Sequence, residues 1–311
     1  MEILFTDGET RNYPRAVISV GRSNSSDFIL TSVTQKRSEQ IAVNHHYDDY
    51  KIGIKNKIIE PYKFSGIVID TKNTTWETQF IENYKNLWRA SVCLGSQDKS
   101  AQRKDTYVSV VYKGIQINGY MVDMSIMSNN TGLSYFSFTL IPLGNPVENL
   151  AGEIDYIDKA DISNVQREDN KASIFMSNKP IEEQPMREFS LQSINKYFLE
   201  KYQFTGVYGG ITSFGSYPDT YIFGLILPDT KESVIVEGVE YSWKHLFNKY
   251  YREKWSVKNL YRDQKVHIVY KNRVATGYIM SLTDNVKAGE TFSRVELRML
   301  VKSDYADMGG H

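Results

Sequence analysis

Val108-Ser-Val-Val-Tyr112-Lys113, followed by Gly119-Tyr120-Met121, is nearly restated by Val266-His-Ile-Val-Tyr270-Lys271, followed by Gly277-Tyr278-Ile279. Every matched position is offset by 158 residues. The same offset lays Gly66-Ile-Val-Ile69 on Gly224-Leu-Ile-Leu227, and Asp70-Thr71-Lys72 meets Asp229-Thr230-Lys231 after one inserted residue, Pro228. Between these blocks each half holds an aromatic segment of helical spacing ending in a tryptophan, Trp88 in one and Trp255 in the other. Blocks in one order at one spacing describe a duplicated unit, and a chain that repeats a unit commonly builds a surface or a ring from it.

Working outward, each copy reads as mainly β. Segments 16–20, 27–31, 40–43 and 50–55 have the apolar patterning of strands, and 64–69 is a denser run suited to a sheet centre. Thr74 or Thr75 is expected to cap a helix from Trp76. Phe80, Ile81, Tyr84, Leu87 and Trp88 share one face of it, and Glu77, Glu82 and Lys85 point elsewhere. After a polar loop, strands are predicted over 107–112, 115–125 and 134–141, with turns at Lys113-Gly114 and 129–132. Residues 144–190 contain Pro146, Pro180 and Pro185 and ten acidic against five basic residues, which predicts an acidic connector over 144–187 with local order at 154–157 and 172–176. The second half then offers an opening strand at 189–192, a short helix over 194–202 and a glycine-rich bulge or loop at 204–216. A strand follows from Tyr221, then a helix over 241–255 burying Leu246, Phe247, Tyr250 and Trp255, a strand pair over 266–281 and a last strand at 294–301. The predicted domains are 1–143 and 188–311.

The 311 residues suffice for two domains with cores of their own. With 37 basic and 37 acidic residues, the chain lacks the basic excess that nucleic-acid binding draws on. The single cysteine, Cys93, excludes a disulfide framework and a cysteine-based zinc cluster, and reads as a buried structural thiol at a helix end. No stretch approaches the roughly 18 apolar residues of a membrane span, so a soluble protein made in the cytosol is expected. The 22 tyrosines fit cross-strand aromatic pairs and protein contacts.

No pattern marks a reaction centre. His45, His46, His245, His267 and His311 form no metal-ligand spacing, and His45 and His46 face opposite sides of an extended segment. Gly209-Gly210-Ile-Thr-Ser-Phe-Gly215 lacks the lysine of a phosphate loop and the spacing of a dinucleotide fingerprint. Asp48-Asp49 and Glu182-Glu183 read as solvated pairs, and no nucleophile elbow is present. The expectation is a protein that is not an enzyme and takes no cofactor or metal.

The order of strand, aromatic-anchored helix, Val-Tyr-Lys hairpin with Gly-Tyr in its return strand, and final alternating strand resembles the phage tail-tube fold. The resemblance covers residues 15–142 and 188–302. It implies two tandem β-sandwich or barrel domains, each flanked by one α-helix, whose sheets join those of neighbours around a channel. Tube proteins, tube initiators, distal tail proteins and baseplate hubs share that fold, and two-domain members close as trimeric pseudo-hexameric rings. The expectation is thus a structural virion protein of a phage tail or baseplate, assembled in the host cytoplasm. Its expected partners are itself, as a homotrimer ring, and other tail proteins. The channel would pass DNA without sequence-specific binding, and no membrane is involved.

On that reading Phe80, Tyr84, Trp88, Gly119 and Tyr120 form one core and Phe247, Tyr250, Trp255, Gly277 and Tyr278 the other, each Gly-Tyr tyrosine packing on its own helix. Sheet edges left unpaired would be covered by neighbours in the ring. Gln97, Asp98, Lys99, Arg103 and Lys104, in the loop that differs most between the halves, are the candidate inter-ring contact. An alternative is a duplicated β-sandwich adaptor or receptor-binding tail protein that uses the tyrosine-rich loop 202–221. A tail-associated hydrolase would need facing carboxylates or a metal cluster.

Overall fold

The computed structural model describes residues 2–4, 10–12, 15–20, 24–35, 40–46, 49–56, 61–69, 76–95, 106–129, 133–148, 171–176, 189–205, 210–228, 233–236, 238–256, 260, 264–271, 273–286 and 292–306. The protein is mainly β with few helices. It divides into two units, the first comprising Met1–Ser125, Leu133–Gln166 and Phe198–Tyr217, the second Ile126–Gly132, Arg167–Tyr197 and Pro218–His311.

The first half of the chain gives β1 (Glu2–Leu4), β2 (Thr10–Asn12), β3 (Arg15–Val20), β4 (Asn24–Gln35), β5 (Gln40–His46), β6 (Asp49–Asn56) and β7 (Tyr62–Ile69). Helix α1 (Trp76–Asn83) runs into a π-helical turn, Tyr84–Trp88, and then α2 (Ala90–Cys93). Strands β8 (Val108–Tyr112), β9 (Ile115–Asn129), β10 (Leu133–Pro142) and β11 (Val147–Glu148) follow. In the first unit β3, β4, β7, β10, β9 and β8 pair in that order, and β8 returns to β3, closing six strands on themselves. Strand β10 shows why: Ser134, Phe136, Phe138 and Leu140 are buried in alternation, and Phe136 and Phe138 meet Phe28 edge to face at 5.0 and 6.1 Å.

The second half gives β12 (Lys171–Met176), β13 (Phe189–Thr205), β14 (Gly210–Ser216), β15 (Thr220–Pro228), β16 (Ser233–Val236), β17 (Val239–Ser242), α3 (Trp243–Tyr250), a second π-helical turn at Tyr251–Trp255, β18 (Val266–Tyr270), β19 (Arg273–Val286) and β20 (Phe292–Ala306). In the second unit β12, β13, β15, β20, β19 and β18 pair in that order, and β18 returns to β12. The pairing order is that of the first unit, strand for strand.

Local chemistry also recurs. The hairpins β8–β9 and β18–β19 turn through Lys113 (φ 46°) and Lys271 (φ 43°), left-handed positions of the kind that match the twist of a tight hairpin. Phe80 meets Trp88 edge to face at 4.9 Å, and Phe247 meets Trp255 at 5.2 Å. Eight residues of α-helix rise about 12 Å, so each contact depends on the wide π-helical turn and its abrupt exit. That exit is extended in both places: Arg89 N–H donates to Tyr84 O at 3.1 Å, and Ser256 N–H to Tyr251 O at 2.9 Å. Arg89 then bridges to Met121 and Ser256 to Ile279, the residues that follow the two Gly-Tyr pairs. Gly119 and Gly277 are required there, because a Cβ would drive into the carbonyls of Ile141 and Leu300.

Five expectations need correction. Residues 194–202 are not helical but lie inside β13, where Ile194, Lys196, Phe198 and Glu200 are buried in alternation. The helix expected over 241–255 starts later, with Ser242 as its N-cap accepting from His245 N–H at 3.3 Å, and changes to π-helical winding at Tyr251. Glu77 faces inward, 4 % exposed, and accepts from the Ser134 hydroxyl at 2.5 Å. Gly66 and Gly224 are not equivalent: Gly66 lies under the Phe136 ring, whereas Gly224 stands on the opposite face from inward Phe223 and Leu225. A one-residue slip reverses faces, so Tyr62 and Phe64 answer to Tyr221 and Phe223. The insertion at Pro228 in the sequence match compensates for that slip. Finally, the edges expected to stay open close within each unit, leaving overhangs such as Ser281–Val286, which pair with β20 alone among the described residues.

The span read as connector, 144–187, holds β11, which pairs with β9, and β12, which pairs with β18.

Candidate functional site

Of the expected core residues, Phe80, Tyr84, Trp88, Phe247, Tyr250 and Trp255 make aromatic contacts. Phe80, Tyr84, Trp88, Gly119 and Tyr120 are buried in the first unit, as are Phe247, Tyr250, Trp255 and Gly277 in the second, where Tyr278 is half-buried. Phe80 and Trp88 answer to Phe247 and Trp255, while Tyr84 answers to Tyr251 and not to Tyr250. Phe64 meets Tyr112 at 5.5 Å and Phe223 meets Tyr270 at 5.3 Å, both edge to face. Cys93 is buried at the end of α2; burial chiefly pushes its thiol up to about 11, leaving it protonated at neutral pH. Gln97, Asp98, Lys99, Arg103 and Lys104 lie outside the described residues, as do His311 and Glu182-Glu183.

Two polar groupings escaped the sequence. In the second unit Asp304, its side chain wholly buried, accepts from Arg273 Nε at 2.9 Å and from the hydroxyls of Tyr221 and Tyr270 at 2.7 and 3.0 Å. The Lys196 ammonium, on a residue 1 % exposed, lies 5.5 and 5.1 Å from the centres of the same two rings. Burial opposes ionisation of Asp304, but attraction by Lys196 and Arg273 and the hydrogen bonds from Arg273 and Tyr221 outweigh it, holding the carboxyl below its usual range. Burial, then the neighbouring Tyr270 and Asp304, drive the Tyr221 hydroxyl well above its usual range. Three donors from three strands hold the Asp304 carboxylate, so the cluster braces strand ends.

The second grouping is a docked hairpin. Within the first unit, Phe198–Tyr217, the distal part of β13 with β14, lies on the helical segment. Phe198 contacts the Tyr84 ring at 5.5 Å, with the Lys85 ammonium 5.2 Å from its centre. Glu200, 4 % exposed, accepts from Arg89 Nε at 2.6 Å and from the Ser91 N–H at 3.0 Å. Its outward side chains include Leu199, Tyr202, Phe214 and Tyr217, all exposed. A strand reading of 194–202, with Lys196 and Glu200 turned inward, was the signal that could have found both groupings.

Among the described residues no three histidine, cysteine, aspartate or glutamate side chains converge as metal ligands, and no helix is long and apolar enough to cross a membrane. His267 is held by Thr276 at 2.8 Å and stacked on Phe175 at 5.0 Å, and His245 is exposed. No protein-family model matches the chain, and no curated protein matches its sequence.

Proposed function

We propose that this chain is a structural protein of a phage tail or baseplate, built from two copies of one tail-tube-like domain, three chains of which close a pseudo-hexameric ring around a channel. The observation that carries the reading is the repeated pairing order: six strands in the same sequence, with an aromatic-anchored helix inserted at the same place, twice in one chain. Two like domains give one chain two quasi-equivalent positions, and a closed ring is the assembly that leaves no such position unfilled. The buried carboxylates Asp304 and Glu200 are each held by fixed donors from other strands or helices, an arrangement that suits a scaffold.

Light scattering of the purified protein tests this. A mass three times that of the 35.9 kDa chain supports the ring. A monomer at the highest attainable concentration, unchanged when other tail proteins are added, refutes it and favours a monomeric adaptor.

A further inference from the structure

The two helical segments occupy equivalent places, yet among the described residues a hairpin lies on only one of them. Tyr84, fully buried in the first unit, lies beneath the hairpin 198–217, whose Phe198 and Glu200 engage Tyr84, Lys85, Arg89 and Ser91. In the second unit Tyr251 takes the place of Tyr84 at the start of the π-helical turn and is only half-buried, and Arg252 and Glu253 beside it are exposed. The covering hairpin is an insertion between β13 and β15. Its topological counterpart is the insertion between β4 and β7, which contains β5 and β6, a two-stranded hairpin whose backbone, among the described residues, pairs only with itself. That hairpin belongs to the first unit, not the second.

We infer that the β5–β6 hairpin, residues 40–56, of one copy docks on the helical face around Tyr251 and Arg252 of a second copy, as 198–217 docks around Tyr84. The inference rests on the ring reading and names the contact between successive chains. The hairpin sequence is balanced, Asp48 and Asp49 against Lys51 and Lys55, and Glu253 stands among Lys249, Arg252 and Lys254 on the receiving segment, so the topological equivalence of the two insertions, not net charge, carries the match. Ser256 stands where Arg89 is, so an ion pair to an incoming carboxylate would fall to Arg252 or Lys254, not to a copy of the Arg89–Glu200 pair. Isolated two-stranded hairpins are marginal in water, which gives this one a reason to seek a surface.

The excision is clean, because Gln35 and Tyr62 are paired neighbours at the base of the insertion. Replacing 36–61 by Asn-Gly gives a tight turn and keeps the barrel. The variant is expected to melt as the parent's monomer does and to lose the trimer. In the full-length chain, benzoylphenylalanine at Arg252 should crosslink on irradiation to a peptide from 40–56 of another copy. Tyr251→Asp should weaken assembly at least tenfold. Rings that form with the hairpin excised, or crosslinks that map elsewhere in an intact ring, overturn this contact while leaving the ring reading standing. A monomer under all conditions, unmoved by either variant, overturns both.

Discussion

At the scale of single residues, two kinds of contact do most of the organising. The first is apolar. Trp88 and Trp255 each end a π-helical turn, are almost wholly buried, and take the edge of a phenylalanine from their own helix. Trp88→Ala and Trp255→Ala should each cost about 3–5 kcal/mol by leaving a cavity. Two melting transitions, each shifted by only one of the variants, would further mark the units as independent. A melt unchanged within error would exclude the packing described. The second is ionic. Asp304 is held below its usual range in the folded protein, so its contribution is present above the unfolded carboxyl pKa of about 4 and is lost as pH falls through the lower folded value. Asp304→Asn removes the carboxylate beside two buried cations and should cost about 3–5 kcal/mol at neutral pH. A pH series of melts should show the gap between parent and variant narrowing only below pH ~4. A gap independent of pH would mean that Asp304 is not charged when folded.

At the scale of elements, the hairpin 198–217 is secured by one buried carboxylate. Glu200→Ala removes the partner of Arg89 and of the Ser91 N–H, and leaves a guanidinium 12 % exposed without it. Hydrogen exchange over 198–205 should accelerate about a hundredfold, which is the ~3 kcal/mol of a broken buried pair. Equal exchange in parent and variant would show that other contacts hold the hairpin. This element was also the hardest to read in the sequence. Ile194, Phe198 and Tyr202 are spaced by four, which suits a helix, and Ile194, Lys196, Phe198 and Glu200 are spaced by two, which suits a strand. A strand turns Lys196 and Glu200 inward, and their partners, the Asp304 cluster and Arg89, lie far away in sequence. By contrast the helix from Trp76 and the strands at 15–20, 62–69, 108–112 and 133–142 were legible because period and turn residues agreed. The Gly66–Gly224 match misled because identical glycines outweighed facing, whereas the aromatic pairs Tyr62/Phe64 and Tyr221/Phe223 fix the register.

At the scale of the whole molecule, the two units have one pairing order and one aromatic plan but opposite fortunes at the helix. Among the described residues one helical face carries a hairpin from the same chain, and on the other Tyr251 is half-buried and Arg252 and Glu253 are exposed. A molecule that answers one of two like positions internally has reason to answer the other with a second copy, and repeating that step closes a ring when the rotation allows. A net charge of zero suits contacts spread over surfaces. The most direct measurement is a set of electron-microscope class averages of the assembled protein. Six lobes around a central hole, grouped in threefold symmetry, are predicted. Single two-lobed particles with no ring, whether or not other tail proteins are present, would contradict it.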